Sequence, residues 1–463
     1  MNRREFLSAA GLGSAALVMP SLSHAKGTAK RRPNVVLILA DDLGWGDLGC
    51  YGHETVRTPH LDRLAREGVR MTSFYADAPV CSPTRGALLT GRVPQRNGLT
   101  NVIETTDHTT HLRADETLIS EMLRGAGYTT GIVGKWHVGE AWPVRPNRRG
   151  FDFFYGGLLG GMDFYRHDFV NAQHDLWLND TPVRRDGEYI TDILGEQAAG
   201  FVRRSKDEPF FLYLSFQAVH ISMGSQSRGD IQVPPRWLKR YESGALSEQR
   251  LKYYAAVSAM DEAIGRVLDA VDTAGVTDNT VVIFTSDNGP EPRWPGSSGP
   301  FFGTKHTLWE GGIRVPMIIR WPKRLPAGEV CSACAVTHDL APTILSMTDI
   351  GKPRNPVMDG IDLAPLLKGR RPDRPRTLCW SYLRDTLAIS REKAIRRGQW
   401  KWLNGALYDL ERDPMESRDV SAQYPAVAAE LGAAWNTWVR QFPDEVKRWG
   451  DRKPKPHRRD KWR

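Results

Sequence analysis

The sequence has few cysteines, which excludes a protein held together by a dense disulfide framework. The five cysteines among 463 residues are Cys50, Cys81, Cys331, Cys334 and Cys379. Cys331 and Cys334 form a C-x-x-C pair, but no second pair lies nearby to complete a zinc site. We interpret this pair as structural or incidental, with a disulfide formed after export as the alternative. Because five is an odd number, at least one thiol stays unpaired or is modified.

The sequence also lacks internal repeats, nucleic-acid-binding motifs and a Ser, His and Asp arrangement at hydrolase spacing. Its net charge of +9 and pI near 9.3 suit a polyanionic partner. Much of the basic character lies in the tail Asp451–Arg463, and because no nucleic-acid motif appears we expect no nucleic-acid partner; acidic, sulfated substrates fit the charge equally well. A length of 463 residues, 40% of them hydrophobic, suits one large domain and a smaller one.

A short apolar segment near the N-terminus has the features of an export signal. Its parts, in order, are Arg3-Arg4, Phe6-Leu7, the apolar stretch Ala9–Met19 and the small-x-Ala sequence Ser23-His24-Ala25. The segment is too short for a transmembrane helix, and the adjacent arginines resemble a twin-arginine signal. We predict that residues 1–25 are a bacterial signal peptide and that the mature chain begins near Lys26. The export machinery would then deliver the protein to the periplasm or the exterior, with no stable membrane span.

The stretch over residues 79–92 predicts the start of a helix at a reactive position. Ser82 suits the N-cap, Pro83 the first helical position, and Gly91 the helix end. Cys81 would then lie just before a helix N-terminus, where free N–H groups and the helix dipole favour negative charge. A nucleophile and an anionic substrate could meet there, although a lone cysteine in such a place is more often a small buried residue.

Four apolar, β-branched runs predict strands buried on both faces of a parallel sheet. The runs are Asn34–Ala40, Thr129–Val133, Phe210–Phe216 and Thr280–Thr285. Each is followed by polar residues, namely Asp41-Asp42, Lys135 and His137, His220, and Asp287-Asn288. Helical patterns over residues 58–68, 117–124 and 247–274 separate the strands, which indicates an α/β fold with helices on both faces. Because ligands bind beyond the carboxyl ends of such strands, we expect these polar residues to form one site.

Each of these residues also has a plain structural explanation. Asp41-Asp42 and Asp287-Asn288 suit turns, Lys135 suits a surface charge, and His137 and His220 suit ordinary loop histidines. If these explanations were correct, polar residues would follow all four predicted strands only by coincidence. We therefore prefer the interpretation that they form a single site.

The C-terminal end predicts a small antiparallel sheet closed by a helix at 424–442. The short runs are Thr377–Tyr382, Leu387–Ser390, Lys393–Arg396, Trp400–Leu403 and Leu407–Leu410, with turns at Gly398 and Asn404-Gly405. We therefore divide the chain into a signal peptide (1–25), a catalytic domain (26–375) and a C-terminal subdomain with a basic tail (376–463).

The residues Cys81, Pro83 and Arg85, followed by Leu89-Thr90-Gly91-Arg92, resemble the signature of the type I sulfatases. In that family a separate formylglycine-generating enzyme oxidises the cysteine to formylglycine (3-oxoalanine). Other segments similar to family motifs are 41–49, 134–137, 303–316 and 396–414. The resemblance covers Pro33 to about Val420 and looks closest to the arylsulfatase A and N-acetylgalactosamine-6-sulfatase branch. It implies an alkaline-phosphatase-like fold with a large mixed, mostly parallel sheet.

The predicted metal ligands are Asp41, Asp42, Asp287 and Asn288, together with modified Cys81. The four unmodified side chains offer oxygen, which selects one Ca²⁺, or Mg²⁺, over zinc. Such an ion polarises a sulfate oxygen and holds the nucleophile. A formylglycine hydrate carries two hydroxyls on one carbon: one attacks sulfur, and the other later expels sulfate and restores the aldehyde.

The resemblance assigns the remaining catalytic roles. Arg85 orients and stabilises the hydrate, and His137 handles the proton of its second hydroxyl. Lys135 and Lys305 clamp the sulfate oxygens, and His220 or Lys305 protonates the leaving alcohol. The sequence departs from the family at one point, because Ile221-Ser222 follow His220 where the family often has His-x-Pro.

Two alternatives stay open at this stage. Phosphonate monoester and phosphodiester hydrolases share the superfamily's architecture, so a phosphate ester is a possible substrate. A non-catalytic protein that binds sulfated glycans is the other, if Cys81 is never oxidised.

We expect Phe151–Asp180 and Pro290–Phe302 to be loops around the pocket. Within them, we expect sugar contacts from Tyr165, Arg166, His167 and Trp294.

Overall fold

The computed structural model describes residues 32–104, 109–242, 246–353, 357–370, 374–383 and 391–442. The predicted signal peptide, the strand predicted at Leu387–Ser390 and the basic tail lie outside these residues. Among the described residues no helix combines the length and the apolar character that a membrane span needs. Cys331 and Cys334 are both free thiols.

The central sheet is large and mixed, and it contains every strand predicted from an apolar run. Its strands are β1 (Asn34–Ala40), β2 (Val69–Tyr75), β3 (Thr129–Gly134), β4 (Phe153–Gly156), β5 (Trp177–Leu178), β6 (Thr181–Pro182), β7 (Phe210–Ser215), β8 (Thr280–Ser286), β9 (Arg314–Arg320), β10 (Glu329–Cys331) and β11 (Ala335–Val336). Their spatial order is β10-β2-β9-β8-β1-β7-β3-β4-β5-β6, with β11 also pairing with β2.

The direction of the strands decides where the site lies. β1 is parallel to β8 and β7, and β3 is parallel to β7 and β4. β9 is antiparallel to both β8 and β2, so two reversals leave β2 running in the same direction as β1. The carboxyl ends of β1, β2, β3, β7 and β8 therefore meet at one edge of the sheet, as predicted for the four apolar runs.

Helices cover both faces of the sheet. They are α1 (Pro59–Arg66), α2 (Cys81–Thr90), α3 (Pro94–Asn97), α4 (Ile119–Gly125), α5 (Ile190–Ser205), α6 (Pro235–Leu238), α7 (Glu248–Thr273), α8 (Glu310–Ile313), α9 (Leu340–Met347) and α10 (Ala364–Leu367). Single 3₁₀ turns lie at Gly49–Tyr51, Trp142–Val144, Pro146–Arg148, Thr277–Asn279 and Thr337–Asp339. Because strand side chains alternate between the faces, Val36 and Ile38 of β1 pack with α1, α5 and α7, whereas Val35 and Leu37 pack with α2, α4 and α9.

The C-terminal end forms a second sheet, and its register follows the predicted turns. Strands β12 (Thr377–Leu383), β13 (Arg391–Arg397), β14 (Trp400–Leu403) and β15 (Ala406–Asp409) pair antiparallel in sequence order. Asn404 and Gly405, with φ of 53° and 104°, form the two-residue turn between β14 and β15. Helix α11 (Pro425–Val439) covers one face through Leu431, Trp435 and Val439.

A buried charged network joins this small sheet to the large one. The ammonium of Lys401 lies 3.0 Å from a Glu310 carboxylate oxygen and 2.9 Å from one of Glu416, and all three side chains are fully buried. Glu310 also accepts a hydrogen bond of 2.5 Å from the hydroxyl of Tyr75, the last residue of β2. The C-terminal sheet is therefore anchored to the strand that leads to Cys81.

Candidate active site

The carboxyl ends of β1 and β8 bring two acidic pairs together. Ala40 and Ser286 are partners in the parallel register, so Asp41-Asp42 lie beside Asp287-Asn288. The backbone N–H of Asp42 donates to Asp287 Oδ1 at 3.2 Å, and Asn288 Nδ2 donates to Asp42 Oδ1 at 2.7 Å. All four side chains are buried. The convergence that the sequence predicts is therefore a feature of the structure.

The chemistry of these residues fits a hard cation. Asp41 Oδ1 and Asn288 Oδ1 are buried oxygens that have no hydrogen-bond partner among the described residues. Single ligand atoms of Asp41, Cys81 and Asp287 all lie within 4.8 Å of one another. Burial and the negative charge of Asp41 raise the pKa of Asp287, while Arg85 opposes the rise. A cation at this point would satisfy the free oxygens and relieve the repulsion between carboxylates.

Cys81 lies at the opening of α2, but the helix begins earlier than predicted. Val80 is the N-cap residue, Cys81 is the first residue of the helix, and Gly91 ends it with a φ of 68°. The prediction that Ser82 caps the helix is wrong, since its hydroxyl accepts a hydrogen bond from the backbone N–H of Ile103 at 3.1 Å. Cys81 is only 2% exposed, and burial raises the pKa of its thiol. An unmodified Cys81 is therefore a poor nucleophile near neutral pH.

Arg85 forms hydrogen bonds with residues at the ends of three strands. Its Nε and Nη2 atoms donate to Asp287 Oδ2 at 3.1 and 2.8 Å. Its Nη1 atom donates to the hydroxyl of Ser215 at 2.6 Å and to the carbonyl of Lys135 at 3.2 Å. Burial alone would lower the pKa of Arg85, but the carboxylates of Asp287 and Asp41 raise it well above its ordinary value. Arg85 thus carries a permanent positive charge in the floor of the site.

Lys135 and Lys305 approach the acidic pairs from opposite parts of the chain. Lys135 Nζ donates to Asp41 Oδ2 at 2.6 Å, and Lys305 Nζ donates to Asp42 Oδ2 at 2.7 Å. Both lysines are almost completely buried. Burial disfavours the charged form of Lys305, but the negative charge of Asp42 raises its pKa above the ordinary value. Each ammonium retains further N–H donors for an anionic ligand.

The two predicted histidines are also in the site, in different surroundings. His137 Nε2 lies 3.3 Å from the carbonyl of Ile103, and burial followed by the charge of Lys135 holds its pKa well below the ordinary value. His220 Nδ1 donates to the carbonyl of Ile221 at 2.7 Å, which leaves Nε2 at 3.5 Å from Asp42 Oδ2. Burial, with the charge of Lys305, lowers the pKa of His220 to about 4.

The segment between β4 and β5 covers the histidines. A Cβ atom at Gly160 would lie 2.7 Å from His137 Nε2, and one at Gly161 would lie 3.6 Å from His220 Nδ1. Glycine is needed at Gly160 because of the His137 ring, whereas at Gly161 the close approach is to Met223 Cγ, at 2.6 Å. The carboxylate of Asp175 holds the segment, since it accepts the backbone N–H groups of Leu158 and Leu159, each at 2.9 Å. Part of the region predicted as a loop is therefore sheet, namely β4 and β5, and the part around Gly160 and Gly161 lies against the histidines of the site.

The residues predicted to contact a sugar make contacts with neighbouring segments of the chain. His167 is buried and contacts the carbonyl of Glu188, and Tyr165 packs against Tyr189. The indole N–H of Trp294 donates to the carbonyl of Gly229 at 3.1 Å, while Arg166 donates to Gln226 at 2.8 Å.

Sequence reasoning missed two polar groups in the site. Ser215 ends β7 and holds Arg85, and Glu291 lies close to Lys305. Ser215 lies at the end of a predicted strand, and this position could have identified it as a residue of the site. Glu291 follows Asp287-Asn288 in the chain, but nothing in the pattern distinguishes it from a loop residue.

The charges of the site nearly cancel without a metal. Three carboxylates (Asp41, Asp42, Asp287) face three cationic side chains (Arg85, Lys135, Lys305). A divalent cation added to this set would leave the site positive. Such a site binds an anionic ester and stabilises the negative charge that develops during its cleavage.

Comparisons with known proteins agree with this chemistry. The sulfatase family model matches residues 33–350, and the model described as N-sulphoglucosamine sulphohydrolase, C-terminal, matches residues 299–437. The chain is 36% identical to the N-acetylgalactosamine-6-sulfatase of Canis lupus familiaris over 422 residues, which cover 86% of this chain and 75% of that protein.

Solved structures extend the similarity to the whole architecture. The structure of Ps i-CgsB in complex with k-i-k-neocarrahexaose is 31% identical, with a TM-score of 0.81 over 88% of this chain and 93% of that one. The phosphonate monoester hydrolase of Agrobacterium radiobacter is 21% identical with a TM-score of 0.63 over 89% of this chain and 96% of that one, and shares the fold. By the family match and the extent of the identity, the chain belongs to the type I sulfatase family and is a sulfate-ester hydrolase.

Proposed function

We propose that this protein cleaves the sulfate esters of carbohydrates or aryl alcohols with a formylglycine derived from Cys81 and one divalent cation, Ca²⁺ or Mg²⁺. The observation that carries the proposal is a pair of buried oxygens, Asp41 Oδ1 and Asn288 Oδ1, which have no hydrogen-bond partner among the described residues and lie in a site whose own charges cancel. A cation would supply the missing partner for these oxygens, and an anionic ester would then offset the charge that the cation adds.

The cation would be held by Asp41, Asp42, Asp287 and Asn288, together with the modified side chain of Cys81. When bound, it supplies a positive charge that polarises a sulfate oxygen and favours ionisation of the nucleophile. Arg85 keeps Asp287 in position through two hydrogen bonds and so fixes one wall of the cation site.

The formylglycine supplies two hydroxyls on one carbon in its hydrated form, which permits sulfate transfer and then release of sulfate. His137 Nδ1 is buried and has no hydrogen-bond partner among the described residues, so it offers an acceptor for the proton of the second hydroxyl. Lys135 and Lys305 bind and orient the sulfate oxygens. Each ammonium gives one N–H to Asp41 or Asp42 and keeps others for the sulfate. These contacts strengthen as negative charge grows on the sulfate.

Proton delivery to the leaving alcohol has two candidates: Lys305, whose ammonium carries protons, and His220, which would first have to gain a proton at Nε2 because its Nδ1–H is bound to the carbonyl of Ile221. Both contact Asp42 Oδ2, at 2.7 and 3.5 Å. A sugar alcohol needs that proton more than a nitrophenol does, because nitrophenolate is the better leaving group. His220→Asn should therefore slow a sugar sulfate far more than 4-nitrophenyl sulfate if His220 is the donor, and Lys305→Met should show that pattern if Lys305 is.

The remaining proposals concern export, the modification of Cys81 and the domain boundaries. We propose that residues 1–25 direct export through the twin-arginine route, that the mature protein is periplasmic or extracellular, and that a formylglycine-generating enzyme acts on Cys81. The catalytic domain would extend over 26–375 and the C-terminal subdomain over 376–463.

The test of the proposed function compares ester classes on the same preparation. Purified protein with a measured formylglycine content is assayed against 4-nitrophenyl sulfate, 4-nitrophenyl phosphate, a phenyl phosphonate monoester and monosulfated sugars. We expect the sulfate esters to have the highest kcat/KM. Preference for a phosphorus ester would move the protein to the phosphonate or phosphodiester hydrolases, and binding of sulfated glycan without turnover would make it a binding protein.

A further inference from the structure

Glu291 lies at the border between the site and its exterior. The carbonyl of Pro290 accepts a hydrogen bond of 3.0 Å from the backbone N–H of Lys305, which holds the two segments side by side. The Glu291 side chain is 7% exposed, whereas that of its partner Arg293 is 68% exposed. Glu291 thus connects the buried Lys305 with a side chain at the surface.

The two carboxylate oxygens of Glu291 have different surroundings. Oε1 accepts a hydrogen bond from Arg293 Nε at 2.7 Å. Oε2 lies 4.0 Å from Lys305 Nζ, which is beyond hydrogen-bond distance, and it has no hydrogen-bond partner among the residues that the structure covers. Oε2 is not one of the enclosed, unpartnered polar atoms among the described residues, so it keeps acceptor positions that a ligand entering from outside can reach.

The position of Lys305 indicates which groups of a ligand would lie near Glu291 Oε2. If Lys305 binds a sulfate oxygen, as proposed above, the carbon skeleton of the ester lies within a few ångströms of Glu291. A hydroxyl or amide N–H near the sulfated carbon can donate to Oε2. A second sulfate or a carboxylate at that point would be repelled by the same oxygen. An aryl sulfate without further substituents offers no donor at all.

We propose that Glu291 is a specificity-determining residue that accepts a hydrogen bond from a sugar hydroxyl or amide close to the sulfate ester. The inference rests on the proposed function, because it takes Lys305 as a sulfate ligand. It predicts that the preferred substrates are carbohydrate sulfates with a free donor beside the sulfate, rather than aryl sulfates or densely sulfated units.

The test changes the substrate and the protein separately. Methyl galactosides sulfated at position 3, 4 or 6 are prepared with their other hydroxyls free or O-methylated, and kcat/KM is measured beside 4-nitrophenyl sulfate. For the wild type we expect O-methylation to lower kcat/KM of the best galactoside by about ten- to a hundredfold, the range of a charged hydrogen bond. In Glu291→Ala the loss on O-methylation should vanish, and in Glu291→Gln it should shrink.

The control variant is Glu54→Gln, which makes the same chemical change at an exposed position. It should keep both the wild-type ratio between free and O-methylated esters and the wild-type kcat/KM for 4-nitrophenyl sulfate. An unchanged ratio in Glu291→Ala overturns the proposal, as does equal turnover of free and O-methylated esters by the wild type. Turnover of the aryl sulfate with no galactoside cleaved also overturns it and leaves the sulfatase function intact, whereas no turnover of any ester contradicts the proposed function itself.

Discussion

One residue, His338, donates two hydrogen bonds to the carboxylate of Asp77. Its backbone N–H donates to Oδ2 at 2.8 Å, and its ring Nδ1 donates to Oδ1 at 2.6 Å. Asp77 lies in the short connection between β2 and Cys81, whereas His338 lies 261 positions later, in the 3₁₀ turn just before α9. This pair fixes the path of the chain into the catalytic helix.

The first prediction concerns the pH dependence of this pair. Burial lowers the pKa of His338, but the charge of Asp77 outweighs it and raises the pKa above its ordinary value near 6.5. The stabilising charge is therefore fully present below about pH 6.5 and is lost as pH rises through the raised pKa. The free energy of unfolding of the wild type should exceed that of His338→Gln most at about pH 6, and the excess should shrink by about pH 9.

Denaturant unfolding at several pH values measures this difference. His174→Gln is the matched control, since the ring of His174 contacts the carbonyl of Val183 at 2.7 Å rather than a carboxylate. A difference between wild type and His338→Gln that stays constant over this pH range would show that the charge of His338 contributes nothing.

The second prediction is that metal content and activity are lost together. Asp41→Ala removes a ligand whose Oδ1 is unpartnered, and Asp287→Ala removes the partner of Arg85. Each should reduce the bound divalent cation, measured by elemental analysis, and lower kcat by at least about a hundredfold. Asp261→Asn alters a buried carboxylate that binds the backbone N–H groups of His60 and Leu61, and it should keep its metal. A metal-free preparation with full activity would contradict the proposed site.

The third prediction concerns Cys81 itself. Cys81→Ser should fold and bind metal, yet stall after at most one slow sulfate transfer, because a plain hydroxyl cannot expel sulfate by forming an aldehyde. Pro83→Ala and Arg85→Ala should lower the modified fraction, and Arg85→Ala should also weaken catalysis in the modified part. Mass spectrometry of the tryptic peptide Met71–Arg85, or of residues 71–92 in Arg85→Ala, where the cleavage site at 85 is absent, distinguishes thiol from aldehyde. Rapid turnover by protein whose Cys81 is wholly unmodified would refute the mechanism.

The fourth prediction addresses export. Replacing Arg3 and Arg4 together by lysine keeps the positive charge but removes the paired arginines, so the precursor should accumulate in the cytoplasm. Cell fractionation and immunoblotting measure its distribution. Replacing Lys26 and Lys30 by arginine preserves charge just beyond the signal and should leave export unchanged. Normal export of the double lysine variant would rule out the twin-arginine route.

The strand ends could be predicted because a buried strand is visible as a run of neighbouring apolar residues, and its end as the first polar residues after that run. The run Asn34–Ala40 is wholly apolar after its first residue, so both its burial and the polar character of Asp41 are visible in the sequence. Strand β2 was not predicted, because Arg70, Thr72 and Ser73 interrupt its apolar residues. Its direction depends on two antiparallel pairings with distant strands, which no local pattern contains.

The roles of individual polar groups depend on contacts between distant positions. Ser82 had the right residue type for an N-cap, but its hydroxyl is taken by Ile103 and the helix starts at Cys81. Pro83 still lies in the first turn, where its missing N–H costs nothing. The partners of Asp77 and Glu291 could not be predicted, because each depends on the folded position of another segment.

The burial of the catalytic helix has a consequence for the order of events during synthesis. Every residue of α2 is buried, and the carbonyl of Ala76, just before it, accepts a hydrogen bond from the indole of Trp380, 304 positions later. An enzyme that oxidises Cys81, as proposed above, would not reach Pro83 and Arg85 once these contacts exist. The proposed oxidation would therefore have to precede the folding of the segment that carries Trp380.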